Sequence, residues 1–224
     1  LLAVDRRVVA LDLRGGMTSD APPGPYTIAG LAADVAAALA TLRIEHCDVL
    51  GLSMGGFVAQ ELALAQPARV RRLVLALTAR HPSGRGRERL RVDLALRDYP
   101  ELAAVQARNL FLWLLDDDTC ERELAVDRLV SATAAAAADE PREGVRGQIL
   151  ACLAYGGSPR LGDLGTPTLV IGAADDLIYP PRETRALAEA IPGASYVLID
   201  GAHLLSGRAV RRFDEVVLSF LRAE

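Results

Sequence analysis

Apolar residues along this chain gather into short runs separated by longer stretches of helical period. Residues 8–11, 47–50, 73–77, 168–171 and 196–199 are runs of four or five positions dominated by Val, Leu and Ile. Such runs predict strands buried on both faces of a sheet. From Thr27, the residues Leu31, Val35, Leu39 and Leu42 recur every three or four positions and predict an amphipathic helix. Helical patterns also follow the second run to about Gln66, the fourth near residues 182–190, and the fifth from Ala209 to about Leu221. Strands alternating with helices predict an α/β fold with a mostly parallel sheet flanked by helices. Between His81 and about Pro159 the alternation stops. That stretch reads as helical, broken by Asp116-Asp117-Asp118 and containing an alanine run from Ala134 to Ala138. The expected organisation is one discontinuous core, residues 1–80 and 160–224, with a helical insertion at 81–159.

The junction of the second run with its helix reads Gly51-Leu52-Ser53-Met54-Gly55-Gly56. A strand entering G-x-S-x-G and a helix leaving it is the setting of a nucleophile elbow, a turn sharp enough to strain the serine backbone. Residues two positions to either side of Ser53 are expected to be small to avoid strand and helix, and Gly51 and Gly55 meet that demand. Gly56 allows close packing of the helix start. Two further loops carry titratable groups just beyond a strand: Asp175-Asp176-Leu177-Ile178-Tyr179-Pro180 after the fourth run, and Asp200-Gly201-Ala202-His203 after the fifth. In open parallel sheets, sites form at that edge. A serine hydroxyl is a weak nucleophile at neutral pH; histidine supplies a base, and a carboxylate fixes the histidine tautomer. Of the histidines, His46 precedes a strand in a polar connection and His81 opens a loop before Pro82, so both read as surface residues. His203 completes the constellation.

These motifs, in the order Ser, Asp, His, resemble the α/β-hydrolase family. The resemblance implies Ser53 as nucleophile, His203 as general base, and the Met54 backbone N–H as one oxyanion donor. Two aspartates compete for the acid. The family pattern Asp-x-Ile/Val/Leu-x-Pro fits Asp176-Leu177-Ile178-Tyr179-Pro180, and the register of Arg185 to Gly193 agrees; counting forward from Gly172 favours Asp175 instead. Asp176 is the choice, with Asp175 as a capping or solvated carboxylate. The family's insertion at 81–159 forms a helical cap. In it the apolar run Leu110-Phe111-Leu112-Trp113-Leu114-Leu115 is expected mainly to pack cap against core, with Trp113 the first candidate to line an acyl pocket. Gly51 to Gly56 and the following Arg72-Leu73-Val74-Leu75 strand are similar to enol-lactonases and to small esterases or cofactor-free haloperoxidases.

Composition removes alternatives. The chain has 224 residues, half of them hydrophobic, with a net charge of −4 and no long basic run, so a nucleic-acid surface is not expected. No apolar stretch nears the ~18 residues of a membrane span, and charge at Asp5, Arg6 and Arg7 breaks a secretory signal. Cys47, Cys120 and Cys152 are scattered without a C-x-x-C pair, which suggests a reducing, cytoplasmic setting and no zinc site. The chain contains no lysine, and this excludes a P-loop, a Schiff-base lysine and a Ser–Lys dyad. No cofactor and no metal are expected. The partner is a small ester or lactone. C–C bond hydrolysis or acyl transfer by the same triad stays open, as does a non-catalytic remnant of the fold.

The remnant has its motive at the start of the chain. Residues 12–20, Asp-Leu-Arg-Gly-Gly-Met-Thr-Ser-Asp, depart from the family's Asp-Leu-Arg-Gly-His-Gly-x-Ser-Asp, so that loop is expected to be reshaped. No histidine is followed by glycine, whereas the family carries a His-Gly oxyanion loop after earlier strands. The chain therefore reads as N-terminally truncated. If the run 8–11 holds its family place, a vacant strand position separates it from 47–50 by roughly 9–10 Å. A ladder between the two would mean that the sheet had closed up.

Overall fold

The structure is a computed structural model describing residues 2–4, 6–16 and 18–223. Its elements in chain order are α1 (Ile28–Thr41), β1 (Cys47–Leu52), α2 (Met54–Ala65), β2 (Val70–Ala76), α3 (Gly84–Leu96), α4 (Ala103–Leu114), α5 (Asp117–Cys120), α6 (Glu123–Ala136), α7 (Arg142–Ala154), β3 (Thr168–Ala173), α8 (Pro181–Glu189), β4 (Ser195–Ile199) and α9 (Gly207–Arg222). Among the described residues the strands form one parallel sheet in the order β1-β2-β3-β4.

The central strands explain why their sequence is apolar on successive positions. Leu73 and Leu75 of β2 and Val170 of β3 point to one face, where they meet α1, α2 and α8 through Leu31, Phe57, Leu62 and Leu187. Val74 and Ala76 of β2, with Leu169 and Ile171 of β3, point to the other face and pack on Val216, Val217 and Leu221 of α9. Period-two alternation thus feeds two cores from one strand. Leu73, Val74, Leu75 and Ala76 are all fully buried. The edge strand β1 differs, because Leu50 and Leu52 remain 38% and 43% exposed.

The first run departs from expectation. Residues 7–13 form no strand and no ladder to β1, and Val8, Val9 and Leu11 are exposed. A strand is held by its partner's hydrogen bonds, and four apolar residues with no adjacent edge cannot form one alone. The segment instead ties down through side chains. Arg6 reaches Asp48 at the base of β1 (3.2 Å) and the Leu221 carbonyl of α9 (3.0 Å). Gln148 of α7 donates to the Arg14 carbonyl (2.8 Å). Met17, within the loop expected to be reshaped, lies outside the described residues.

Residues 84–154 contain α3 to α7 and no strand among the described residues. Part of this segment has its own small core of Ala107, Phe111, Leu115, Val126 and Val130. One backbone bond ties it to the far end of the sheet, from the Leu204 N–H to the Leu114 carbonyl (2.8 Å).

Candidate active site

Ser53 sits between β1 and α2 with φ 54° and ψ −122°, a conformation that a side chain disfavours. Its surroundings hold it there. The Ser53 N–H donates to the Ala76 carbonyl (3.0 Å), and the Ser53 carbonyl accepts from the Gly56 N–H (2.9 Å) and the buried Thr78 hydroxyl (2.8 Å). The glycines of the motif are not equivalent. A Cβ on Gly51 would lie 2.4 Å from the Gly55 carbonyl oxygen and 2.6 Å from Ala59 Cβ, and one on Gly56 would strike Thr78 at 2.5 Å. A Cβ on Gly55 would meet nothing within 4 Å. The expectation that Gly55 must be small is therefore corrected. The crowding falls on Gly51, because the first turn of α2 presses its backbone against that residue.

The two loops beyond β3 and β4 are laced together by Ala174 N–H to Ile199 O and Asp175 N–H to Gly201 O, both 2.9 Å. Gly201, at φ 111°, provides a turn that other residues rarely adopt. This lacing aims Asp176 and His203 at each other and at Ser53. His203 Nε2 lies 3.0 Å from Ser53 Oγ, and His203 Nδ1 lies 2.8 Å from Asp176 Oδ2. Asp176 is 2% exposed, and its other oxygen accepts the backbone N–H groups of Ile178 and Tyr179, each at 2.8 Å. Those bonds replace the water that a buried carboxylate gives up. Asp175 points to solvent. The structure places Asp176, and not Asp175, beside His203.

Aromatic packing backs the histidine. The Tyr179 ring lies 5.7 Å from that of His203 and edge-on to Phe57, whose other neighbour is Tyr155 at 5.1 Å. Burial pushes the Tyr179 hydroxyl well above its ordinary range, so it stays protonated and neutral beside the histidine. His46 and His81 hydrogen-bond to the carbonyls of Ala68 and Pro82 and take no part in this cluster. Met54 is the first residue of α2, where a helix leaves its N–H groups without internal acceptors.

A sequence model of the alpha/beta hydrolase fold matches residues 1–207. The chain belongs to the α/β-hydrolase fold family. A relative from Rhizobium rhizogenes named "Putative carbamate hydrolase RutD" is 34% identical over 99% of this chain and 85% of its own length. Among solved structures, the enol-lactonase of Burkholderia xenovorans LB400 superimposes with a TM-score of 0.84 at 31% identity, covering 95% of this chain and 79% of that one. An esterase from Thermogutta terrifontis, solved with malate bound, has a TM-score of 0.78 at 30% identity, covering 94% and 78%. This α/β-hydrolase is thus similar to enzymes named for carbamate, lactone and ester hydrolysis, and hydrolase is the class that membership supports.

In this α/β-hydrolase a cavity of about 190 Å³ opens on Ser53 and Met54, roofed by residues of α3, α4 and α7 and flanked by Ile178 and Tyr179. Trp113, expected in that pocket, is not among its lining residues; it packs, partly buried, against the main core. Leu110, one turn earlier on α4, lines the cavity instead. Arg89 and Gln148 also line it, and neither stood out in the sequence. Arg89 lies in a run with arginines at 85, 87 and 91, and only tertiary packing separates one from another. Among the described residues no cluster of His, Cys, Asp and Glu could hold a metal, and no helix is long and apolar enough to cross a membrane.

Proposed function

We propose that this chain is a serine hydrolase that cleaves a carboxylic ester or lactone through an acyl-enzyme on Ser53. The observation that carries the reading is the continuous hydrogen-bonded line from Ser53 Oγ through His203 to Asp176. In the acylation step His203 Nε2 takes the hydroxyl proton as Ser53 Oγ attacks the carbonyl carbon. Asp176 accepts the Nδ1–H bond, holds the productive tautomer and stabilises the imidazolium that forms. The Met54 N–H, at the positive end of α2, donates to the developing oxyanion. Collapse of the tetrahedral intermediate breaks the C–O bond, and the leaving oxygen, released as an alcohol from an ester or kept on the opened chain of a lactone, receives its proton from His203. Water then repeats the sequence on the acyl-enzyme and releases the acid. The helices of 81–159 act as a cap, and the cavity between them and the elbow is the acyl site.

The names of relatives about one-third identical support a second reading, a carbamate as substrate for the same groups. C–C hydrolysis and acyl transfer use the same serine logic, and a panel of esters, lactones, carbamates and β-diketones separates them. A fluorophosphonate probe tests the whole proposal. Labelling is expected at Ser53 and lost in Ser53→Ala; an intact, folded chain that takes no label would be a non-catalytic remnant.

A further inference from the structure

The cavity above Ser53 contains a charge for which the proposed reaction has no use. Of the arginines along α3, Arg85 is exposed, Arg87 is bonded to the carbonyls of Leu153 and Tyr155, and Arg91 pairs with Glu88. Arg89 is half-buried and lines the cavity. Its Nε is shut off from solvent and has no hydrogen-bond partner among the described residues. The other half-buried arginines, Arg6, Arg14, Arg69, Arg72, Arg87, Arg97 and Arg146, each reach a carboxylate or a carbonyl. Arg89 alone in that set does not.

Among the described residues no carboxylate is bonded to Arg89. Guanidinium is a fixed charge, and only its Nε is shut off; the terminal nitrogens, which no described residue bonds, are the donors that a ligand in the cavity could meet. Asp93 stands one turn along α3 and lines the same cavity, a spacing suited to an ion pair with Arg89. Its carboxylate is engaged elsewhere, by Gln106 Nε2 at 2.6 Å and by Arg97 Nε at 3.9 Å. Cys152 and Tyr179 also line the cavity, but burial pushes the thiol up to about 12 and the phenol higher still, so both are neutral. Gln148 is turned away to the Arg14 carbonyl. The remaining lining side chains include Leu90, Leu110, Val145 and Ile149.

We propose that Arg89 determines substrate specificity by binding a carboxylate carried on the substrate, at the far end of a short chain from the carbonyl that Ser53 attacks. The substrate class is then a short acidic ester or lactone, a half-ester of a dicarboxylic acid or its cyclic equivalent. A planar fork suits two-point capture of a carboxylate and would orient the chain as well as hold it. The size agrees with a short chain: about 190 Å³ lies below the roughly 300–1,000 Å³ of most ligand pockets. The assignment of the reacting carbonyl rests on the Ser53 reading; the anion site itself does not.

Two measurements decide it. Calorimetric titration with glutarate reads the site without turnover. Glutarate is expected to bind the parent, to bind Arg89→Gln about 10- to 100-fold more weakly, and to recover in part with Arg89→Lys. No binding to the parent, or equal binding to a folded Arg89→Gln, would overturn the proposal. Kinetics then compare the mono-4-nitrophenyl ester of glutaric acid with 4-nitrophenyl butyrate. The parent should prefer the charged ester by about tenfold or more in kcat/KM. Arg89→Gln should raise KM for that ester far more than for the neutral one, so that the preference for the charged ester falls by about tenfold or more. Equal losses on both esters, without rescue by lysine, would assign Arg89 a structural role and sink the idea. If the parent cleaves neither ester, the Ser53 reading fails while the glutarate titration still judges Arg89.

Discussion

Replacing Asp176 by asparagine separates the chemical role of this residue from its structural one. One carboxylate oxygen accepts two backbone N–H groups, from Ile178 and Tyr179, and the other faces His203 Nδ1 at 2.8 Å. An asparagine must keep its oxygen toward the two backbone donors, since its NH₂ cannot accept from them. The amide NH₂ is then forced toward His203. Nδ1 must become the acceptor, and the imidazole proton moves to Nε2. That nitrogen lies 3.0 Å from Ser53 Oγ and would now present a donor where the reaction needs a base. The loss expected from a wrong tautomer is on the order of 10⁴ in kcat, about 5.5 kcal/mol of barrier. Stability should change far less, because every hydrogen bond keeps a partner. Loss of the charge-assisted character costs about 1 kcal/mol, or roughly 2–4 °C in Tm for a chain of this size. Steady-state hydrolysis of a 4-nitrophenyl ester, with a melting curve on the same sample, reads both. Asp175→Asn, altering a solvated side chain, should stay within a few-fold of the parent. The argument fails if Asp176→Asn keeps activity within tenfold, or if Asp175→Asn suffers the larger loss.

The elbow and the buried thiol give two further tests. Gly51→Ala places a Cβ against backbone that cannot yield and should destabilise the fold by about 1–3 kcal/mol in urea titration, whereas Gly55→Ala, with open space around it, should be neutral or slightly stabilising. Equal midpoints for the two variants would refute the assigned crowding. Burial raises the Cys152 thiol from an ordinary 9 to about 12, so the stability linked to its protonation is complete below pH 9 and is lost as pH climbs toward 12, at about 1.4 kcal/mol per unit. Cys152→Ala should flatten that part of the stability–pH curve, and an unchanged slope would show that the thiol does not titrate as described.

The sequence made the order of elements and the Ser–Asp–His cluster legible because each depends on local signals: apolar runs, a glycine-punctuated turn, and loops at strand ends. Preferring Asp176 to Asp175 needed the downstream register, and the laced loops are what bring Asp176 to His203. Residues whose placement depends on distant neighbours stayed hidden. Val8 to Leu11 carries the apolar pattern of a strand, but a ladder needs an adjacent edge, which no spacing within the run can reveal. Trp113 and Leu110 share one apolar helix, and the cavity takes Leu110 because of how α4 lies on the core. Arg89 differs from Arg85, Arg87 and Arg91 only in what faces it. Gly55 was expected to be the crowded partner of Gly51; in space, the contact burdens Gly51 alone.

The edge position of β1 has a consequence for how firmly Ser53 is held. The Ser53 amide crosses to Ala76, and along a parallel strand alternate residues turn to opposite sides. The amides of Leu50 and Leu52 therefore face away from β2, and no described strand takes them up. Solvent deuterium can reach the backbone immediately before the strained residue without any unfolding of the sheet. The stiffness that keeps Ser53 in its unfavourable dihedrals comes from one flank only, from β2, Thr78 and the first turn of α2. In mechanical terms the elbow is a cantilever, clamped along β2 and α2 and, among the described residues, paired with no strand on its other side.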